Sequence, residues 1–124
     1  MSKGTIHFER AQNYVIEQAI AEIKSGKKTG HWIWYVFPQM IGLGKSGMSQ
    51  TYAIKDRTHA LEYMSHPILR NNYIACCQAI LDSGKSAYEI FGDDVVKVRS
   101  SLLLMNSVWN DPIIKKVLNE HHWL

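Results

Sequence analysis

A short aromatic segment holds the residues best suited to contact a ligand. It reads His31-Trp32-Ile33-Trp34-Tyr35-Val36-Phe37-Pro38-Gln39. We predict that Trp34 offers a flat ring face on which a planar ligand can stack. His31 is the candidate general acid or base because its unperturbed pKa lies near neutrality, and Gln39 is a polar group that would orient the ligand. In the competing interpretation these rings only fill the hydrophobic core.

A glycine-rich stretch follows, and it could hold an anion. It reads Gly42-Leu43-Gly44-Lys45-Ser46-Gly47. Closely spaced glycines let backbone N–H groups turn towards a phosphate or carboxylate, so Gly44, Lys45 and Ser46 are candidate ligands of such a group. A Walker A loop is excluded because Gln39 stands where that motif needs its first glycine. The alternative is a tight turn that uses glycine only for its backbone freedom.

Three further candidates lie outside this segment. Lys97 and Ser100 are three residues apart, so a helix would place both on one face, towards a shared site. Lys97 is the second candidate catalytic residue and Ser100 a candidate ligand contact. We predict that Gln12, on the first helix, helps to orient the ligand. In the alternative interpretation, the polar residues near Lys97 belong to a capped and solvated helix start.

Other catalytic and metal-binding patterns are not recognisable. The six histidines lack metal-ligand spacing, and no serine lies in the motif of a nucleophile elbow. We therefore predict no metal and no cofactor, and whether a reaction is catalysed stays open. Cys76 and Cys77 are adjacent, where a disulfide would strain the backbone, so we expect free thiols and a reducing, cytoplasmic environment.

The charge distribution favours a small anionic partner. Residues 24 to 57 include six lysines and arginines but one acidic residue, within a chain of net charge +3. This field would attract an anion, but it is too thin for a nucleic-acid-binding surface. No apolar run approaches the roughly 20 residues of a membrane span, and we expect no secretory signal at the start of the chain. The alternative partner is a second copy of the chain, bound through the aromatic segment to form a homodimer.

The periodicity of apolar residues predicts a mainly α fold, a single multi-helical domain over residues 1–124. A long loop rich in glycine and aromatic residues, with minor β pieces, would interrupt the helices. Cap residues and apolar spacing predict helical segments over Glu9–Lys24, Thr58–Met64, Pro67 to Gly84, a short turn after Ser86, Val95–Val108 behind Asp93 or Asp94, and a last helix opened by Asp111-Pro112.

Several motifs along the chain resemble one known family. The longest is Gly26-Lys27-Lys28-x-x-His31-Trp32-x-Trp34-x-x-Phe37-Pro38-Gln39-x-x-Gly42-Leu43-Gly44-x-Ser46. A second is Ile90-Phe91-Gly92-x-Asp94-x-x-Lys97-x-x-Ser100-Ser101. They resemble the bacterial family known as domain of unknown function 1810, which implies a mainly helical fold and no settled activity. The sequence departs from the family pattern at Leu103 and Met105, where threonine and phenylalanine are usual.

Three features occur in an order that is also similar to the NADAR family, which is linked to nucleotides of the ADP-ribose type. They are a segment rich in histidine and tryptophan, a helix followed by His66-Pro67-x-Leu69, and a Gly-Asp turn before the last helices. This similarity implies an anionic nucleotide or an ADP-ribose derivative as the ligand. Our leading hypothesis is therefore a domain with a pocket that binds or processes such a molecule. The alternative is a non-catalytic module for protein–protein interaction.

Overall fold

The computed structural model describes residues 4–42 and 46–124, and these residues are mainly helical. The helices are α1 (Ile6–Ser25), α2 (Ile33–Val36), α3 (Gly47–Thr51), α4 (Arg57–Ser65), α5 (Pro67–Ser83), α6 (Ala87–Phe91), α7 (Val95–Val108) and α8 (Pro112–Glu120). A 3-10 turn, Gly92–Asp94, links α6 to α7. The prediction of a mainly α fold is confirmed.

Local cap chemistry sets most helix ends. Gly26 ends α1 with a φ of 92°, in the left-handed region that favours glycine. Ser86 and Glu89 form the predicted capping box of α6. Asp111 accepts hydrogen bonds from the backbone N–H groups of the first turn of α8, as predicted. Helix α4 begins earlier than predicted, because Asp56 caps it and Thr58, where the predicted segment starts, lies inside the helix.

The apolar run from Ile33 to Phe37 is too short for its periodicity to distinguish a buried strand from a helical turn, and the structure decides between them. The apolar run from Ile33 forms one helical turn, α2, and not a strand. In the described part of the chain, β structure is limited to an isolated parallel bridge between Met40 and Ile54. The N–H of Ile54 donates to the carbonyl of Gln39 at 2.8 Å, and the N–H of Ile41 donates to the carbonyl of Ile54 at 2.8 Å.

The core lies between α1 and α5 and is closed by the later helices. Phe37 is fully buried there, with edge-to-face ring contacts to Tyr73 and Phe91 at centroid distances of 5.4 and 5.6 Å. Cys76 and Cys77 are free and buried in the same core. Burial raises the pKa of the Cys76 thiol to about 12, so this sulfur stays protonated and unreactive at neutral pH.

Two features are absent from residues 4–42 and 46–124. None of the helices among these residues combines the length and the apolar character that a membrane crossing requires. The same residues contain no group of three or more histidine, cysteine, aspartate or glutamate side chains that could hold a metal ion.

Candidate functional site

The aromatic segment divides into a buried half and an accessible half. Trp32 and Phe37 are 1% and 0% exposed, so they fill the core. Within the single turn of α2, Ile33 and Val36 point inwards, which leaves Trp34 and Tyr35 half-buried at the surface. Trp34 is therefore the tryptophan of this segment that a ligand can reach.

Lys97 lies over the accessible tryptophan. Its ammonium nitrogen is 5.0 Å from the centroid of the Trp34 ring, within the range of a cation–π contact. Lys97 comes from the first turn of α7, and Trp34 comes from α2, so the contact joins two elements that are distant in sequence. The structure thus brings together a ring and a cation that were predicted separately.

Asp94 joins Lys97 to a second lysine. Its Oδ1 lies 2.9 Å from Lys97 Nζ, and its Oδ2 lies 3.1 Å from Lys28 Nζ. The side chains of Lys28, Asp94 and Lys97 are 10%, 26% and 25% exposed, so the cluster is partly shielded from water. Burial raises the pKa of Asp94, but the hydrogen bonds and charges of Lys97 and Lys28 outweigh it and lower the pKa overall. The cluster holds two positive charges and one negative charge at neutral pH.

Asp94 does not cap the helix it precedes. It occupies the position before α7, where the sequence predicts a capping aspartate, but its side chain accepts no hydrogen bond from the helix N–H groups. Its two oxygens face the lysines instead. The prediction of a capping side chain at this position is therefore wrong for Asp94, because the two ammonium groups compete successfully for the carboxylate.

Glu22 shapes the turn that carries Lys28 and His31. Its Oε1 accepts hydrogen bonds from the backbone N–H of Thr29 at 2.7 Å, from that of Gly30 at 2.9 Å and from the indole N–H of Trp32 at 3.0 Å. Burial raises its pKa, but these hydrogen bonds, with one from a neighbouring glutamine, prevail and lower the pKa to about 2. The turn is consequently fixed by one ionised carboxylate.

His31 follows Lys28 in the sequence and Ser100 follows Lys97, but the two residues differ in their surroundings. His31 is exposed, and no hydrogen bond or ion pair holds its ring within residues 4–42 and 46–124. Ser100 is half-buried, three residues after Lys97 on α7. The helix therefore places Ser100 on the same side as Lys97.

The remaining loop candidates are only partly described. Gly44 and Lys45 lie outside the described residues. Ser46 caps the short helix α3, and its hydroxyl oxygen accepts from the N–H of Ser49 at 3.1 Å. Gln39 is half-buried, and its backbone carbonyl belongs to the β-bridge region.

Gln12 lies inside the protein and not at the surface. It is 2% exposed, and its side-chain N–H groups donate to the carbonyl of Tyr35 at 2.7 Å and to the hydroxyl of Tyr63 at 2.8 Å. Its side-chain oxygen accepts from the amide of Asn72 at 3.0 Å. These bonds use the side chain to join α1, α2, α4 and α5.

Two residues of the cluster, Lys28 and Asp94, were not predicted as site residues from the sequence, and neither was Glu22, which holds the nearby turn. Lys28 belongs to the cationic stretch of residues 24 to 57, and Asp94 lies three residues before Lys97. The pattern of charges therefore indicated part of this cluster. Glu22 gave no signal, because its partners are backbone N–H groups and a ring nitrogen seven to ten residues away.

Comparisons with known proteins agree on the fold and leave the activity open. A family model described as "Protein of unknown function (DUF1810)" matches residues 4–123. The chain is similar to the solved structure of the conserved hypothetical protein Rv1873 from Mycobacterium tuberculosis. The two are 32% identical, over 94% of this chain and 86% of that chain, with a TM-score of 0.88. No curated protein matches the sequence. These findings do not support the similarity to the NADAR family.

Proposed function

The chain belongs to the DUF1810 family, and we propose that it binds a small anionic ligand with a planar group. The site is the Trp34 face, which we define as Lys28, Trp34, Asp94 and Lys97. The observation that carries the proposal is the position of the Lys97 ammonium group, 5.0 Å from the centre of the half-buried Trp34 ring. A ring and a cation placed together can contact a planar group and a negative group of one molecule.

The charge of the cluster supports an anion. Two lysines share one carboxylate at 2.9 and 3.1 Å, which leaves one positive charge without a negative partner in the cluster. Partial burial of these side chains lowers the effective dielectric constant around them, so an added anion is attracted more strongly than at an open surface.

The finer assignment is a nucleotide or another phosphate-bearing molecule. A nucleotide combines a flat base with an oxyanion, which are the two groups that the Trp34 face would contact. Ser100 lies on the same helix as Lys97, and Gly44, Lys45 and Ser46 remain the loop residues predicted to contact a phosphate. The proposal concerns binding and not a reaction, because no described residue orients the exposed His31 ring for proton transfer.

A thermal-shift panel tests this proposal. The panel contains adenosine monophosphate, ADP-ribose, NAD, sugar phosphates and dicarboxylates. A ligand present at 100 times its Kd stabilises the native state by about 2.7 kcal/mol. We expect at least one planar phosphate to raise the melting temperature, and the dicarboxylates to do so less because they lack a ring.

Trp34→Ala should strongly reduce this stabilisation, and Trp109→Ala is the matched control. Trp109 is also half-buried and also has a cation over its ring, Arg70 at 4.8 Å, but it lies outside the Trp34 face. Loss of ring stacking and of the shielded cation should weaken binding by a factor of about 10 or more. The control should bind as the wild type does.

The proposal fails if no member of the panel stabilises the protein at millimolar concentration, or if both tryptophan variants bind as the wild type does. A change of oligomeric state in Trp34→Ala, without any ligand effect, would favour the interaction module instead.

A further inference from the structure

The carboxylate of Asp94 lies where the oxyanion of a ligand would have to lie. One of its oxygens contacts Lys97 at 2.9 Å and the other contacts Lys28 at 3.1 Å. The same Lys97 ammonium group lies over the Trp34 ring. A ligand whose planar group contacts Trp34 and whose anion contacts both lysines must therefore compete with Asp94.

The contacts of Asp94 allow such an exchange. Although it precedes α7, its side chain caps none of the helix N–H groups, and its hydrogen-bonding partners among the described residues are the two lysines. The carboxylate can therefore leave the lysines without uncapping a backbone N–H group of α7. It is 26% exposed, so water can solvate it once it is displaced.

We propose that Asp94 is an internal competitor that holds the anion subsite of the Trp34 face until the ligand's oxyanion replaces it. This inference rests on the proposed function and names its ligand class. The replacing group needs two oxygens that reach two ammonium groups, which describes a carboxylate or a phosphate. A phosphate monoester is preferred, because its charge of about −1.5 to −2 at neutral pH balances both lysines, whereas Asp94 balances one.

Asp94→Asn tests the inference by the direction of its effect. The amide keeps the size of the side chain but removes the competing charge, so we expect adenosine monophosphate and inorganic phosphate to bind about tenfold more tightly. Asp93→Asn is the matched control, since Asp93 is adjacent and exposed and makes no ion pair with the described residues. It removes the same charge from the neighbourhood without freeing the lysines.

Calorimetric titration of the three proteins at low salt decides the question. Tighter binding in Asp94→Asn than in both Asp93→Asn and the wild type supports the inference, and the gain should shrink as added salt screens the lysines. Equal or weaker binding in Asp94→Asn overturns it. If Asp94 had only a structural role, removing its charge would not strengthen the binding of the ligand. Should Asp94→Asn fail to fold by circular dichroism, Asp94→Ser carries the same charge change and the same expectation.

The inference and the proposed function fail differently. If the wild type binds adenosine monophosphate through Trp34 but Asp94→Asn gains nothing, the competitor is disproved and the site remains. If neither the wild type nor Asp94→Asn binds either probe, and no member of the ligand panel stabilises the wild type, both are disproved.

Discussion

Replacing Gln12 with alanine should lower the free energy of unfolding by about 3 kcal/mol, because it leaves buried polar groups without partners. The substitution removes the donors to the Tyr35 carbonyl and the Tyr63 hydroxyl, at 2.7 and 2.8 Å, and the acceptor of the Asn72 amide at 3.0 Å. A fully buried tyrosine hydroxyl cannot turn to solvent for compensation. Urea unfolding at neutral pH measures the loss.

Gln78→Ala is the control for this experiment. Gln78 lies on the exposed side of α5 and hydrogen-bonds to Asp82 at 2.9 Å, four residues further along the helix. Such an exposed pair contributes about 0.2–0.5 kcal/mol, so its loss should be small. If Gln12→Ala were stable to within 1 kcal/mol of the wild type but lost ligand stabilisation, the sequence-based role of Gln12 in contacting the ligand would replace the structural one.

Replacing Glu22 with alanine should cost about 2 kcal/mol of stability and disorder the turn before α2. Three hydrogen bonds converge on one carboxylate oxygen, from Thr29, Gly30 and Trp32. Bonds to a charged acceptor are worth more than neutral ones, but the partial exposure of this group reduces their net value. Urea unfolding gives the free energy. The indole N–H signal of Trp32 in a magnetic resonance spectrum should report the disorder directly.

The same carboxylate predicts a loss of stability in acid. In the folded protein its pKa lies near 2 instead of the usual 4.5, as burial opposes the lowering but hydrogen bonds from Gly30 and Thr29 prevail. A carboxyl whose pKa is lowered by folding stabilises the native state fully above its unfolded pKa. This contribution should disappear as the pH falls from about 5 to about 2. The stability difference between the wild type and Glu22→Gln should therefore shrink over this range, and a difference independent of pH would contradict the assignment.

Helix boundaries were predictable where they depend on local chemistry. Pro67 and Asp111 mark helix starts through their own backbone or side-chain geometry, and Gly84 ends α5 in the left-handed region. These signals act over about four residues, so a single sequence contains them. The first helix begins at Ile6, earlier than the predicted Glu9.

The site was less predictable because its contacts are long-range. Lys28 and Asp94 are 66 positions apart, and no periodicity links them. Gln12 was predicted to orient the ligand. Its hydrogen-bond partner Asn72 lies 60 residues away on α5, so the sequence could not show this contact. Trp34 and Lys97 were each recognisable as candidates, but only the folded chain shows that their side chains meet.

The most direct measurement of the proposed site is a titration of isotope-labelled protein with adenosine monophosphate, observed through its four tryptophan indole N–H signals. Trp34→Phe assigns the signal of Trp34 by its disappearance. We predict that the Trp34 signal shifts most and saturates, while Trp109 and Trp123 stay in place. Saturating shifts centred on Trp109 or Trp123, or no shift at millimolar nucleotide, would contradict a ligand site at the Trp34 face.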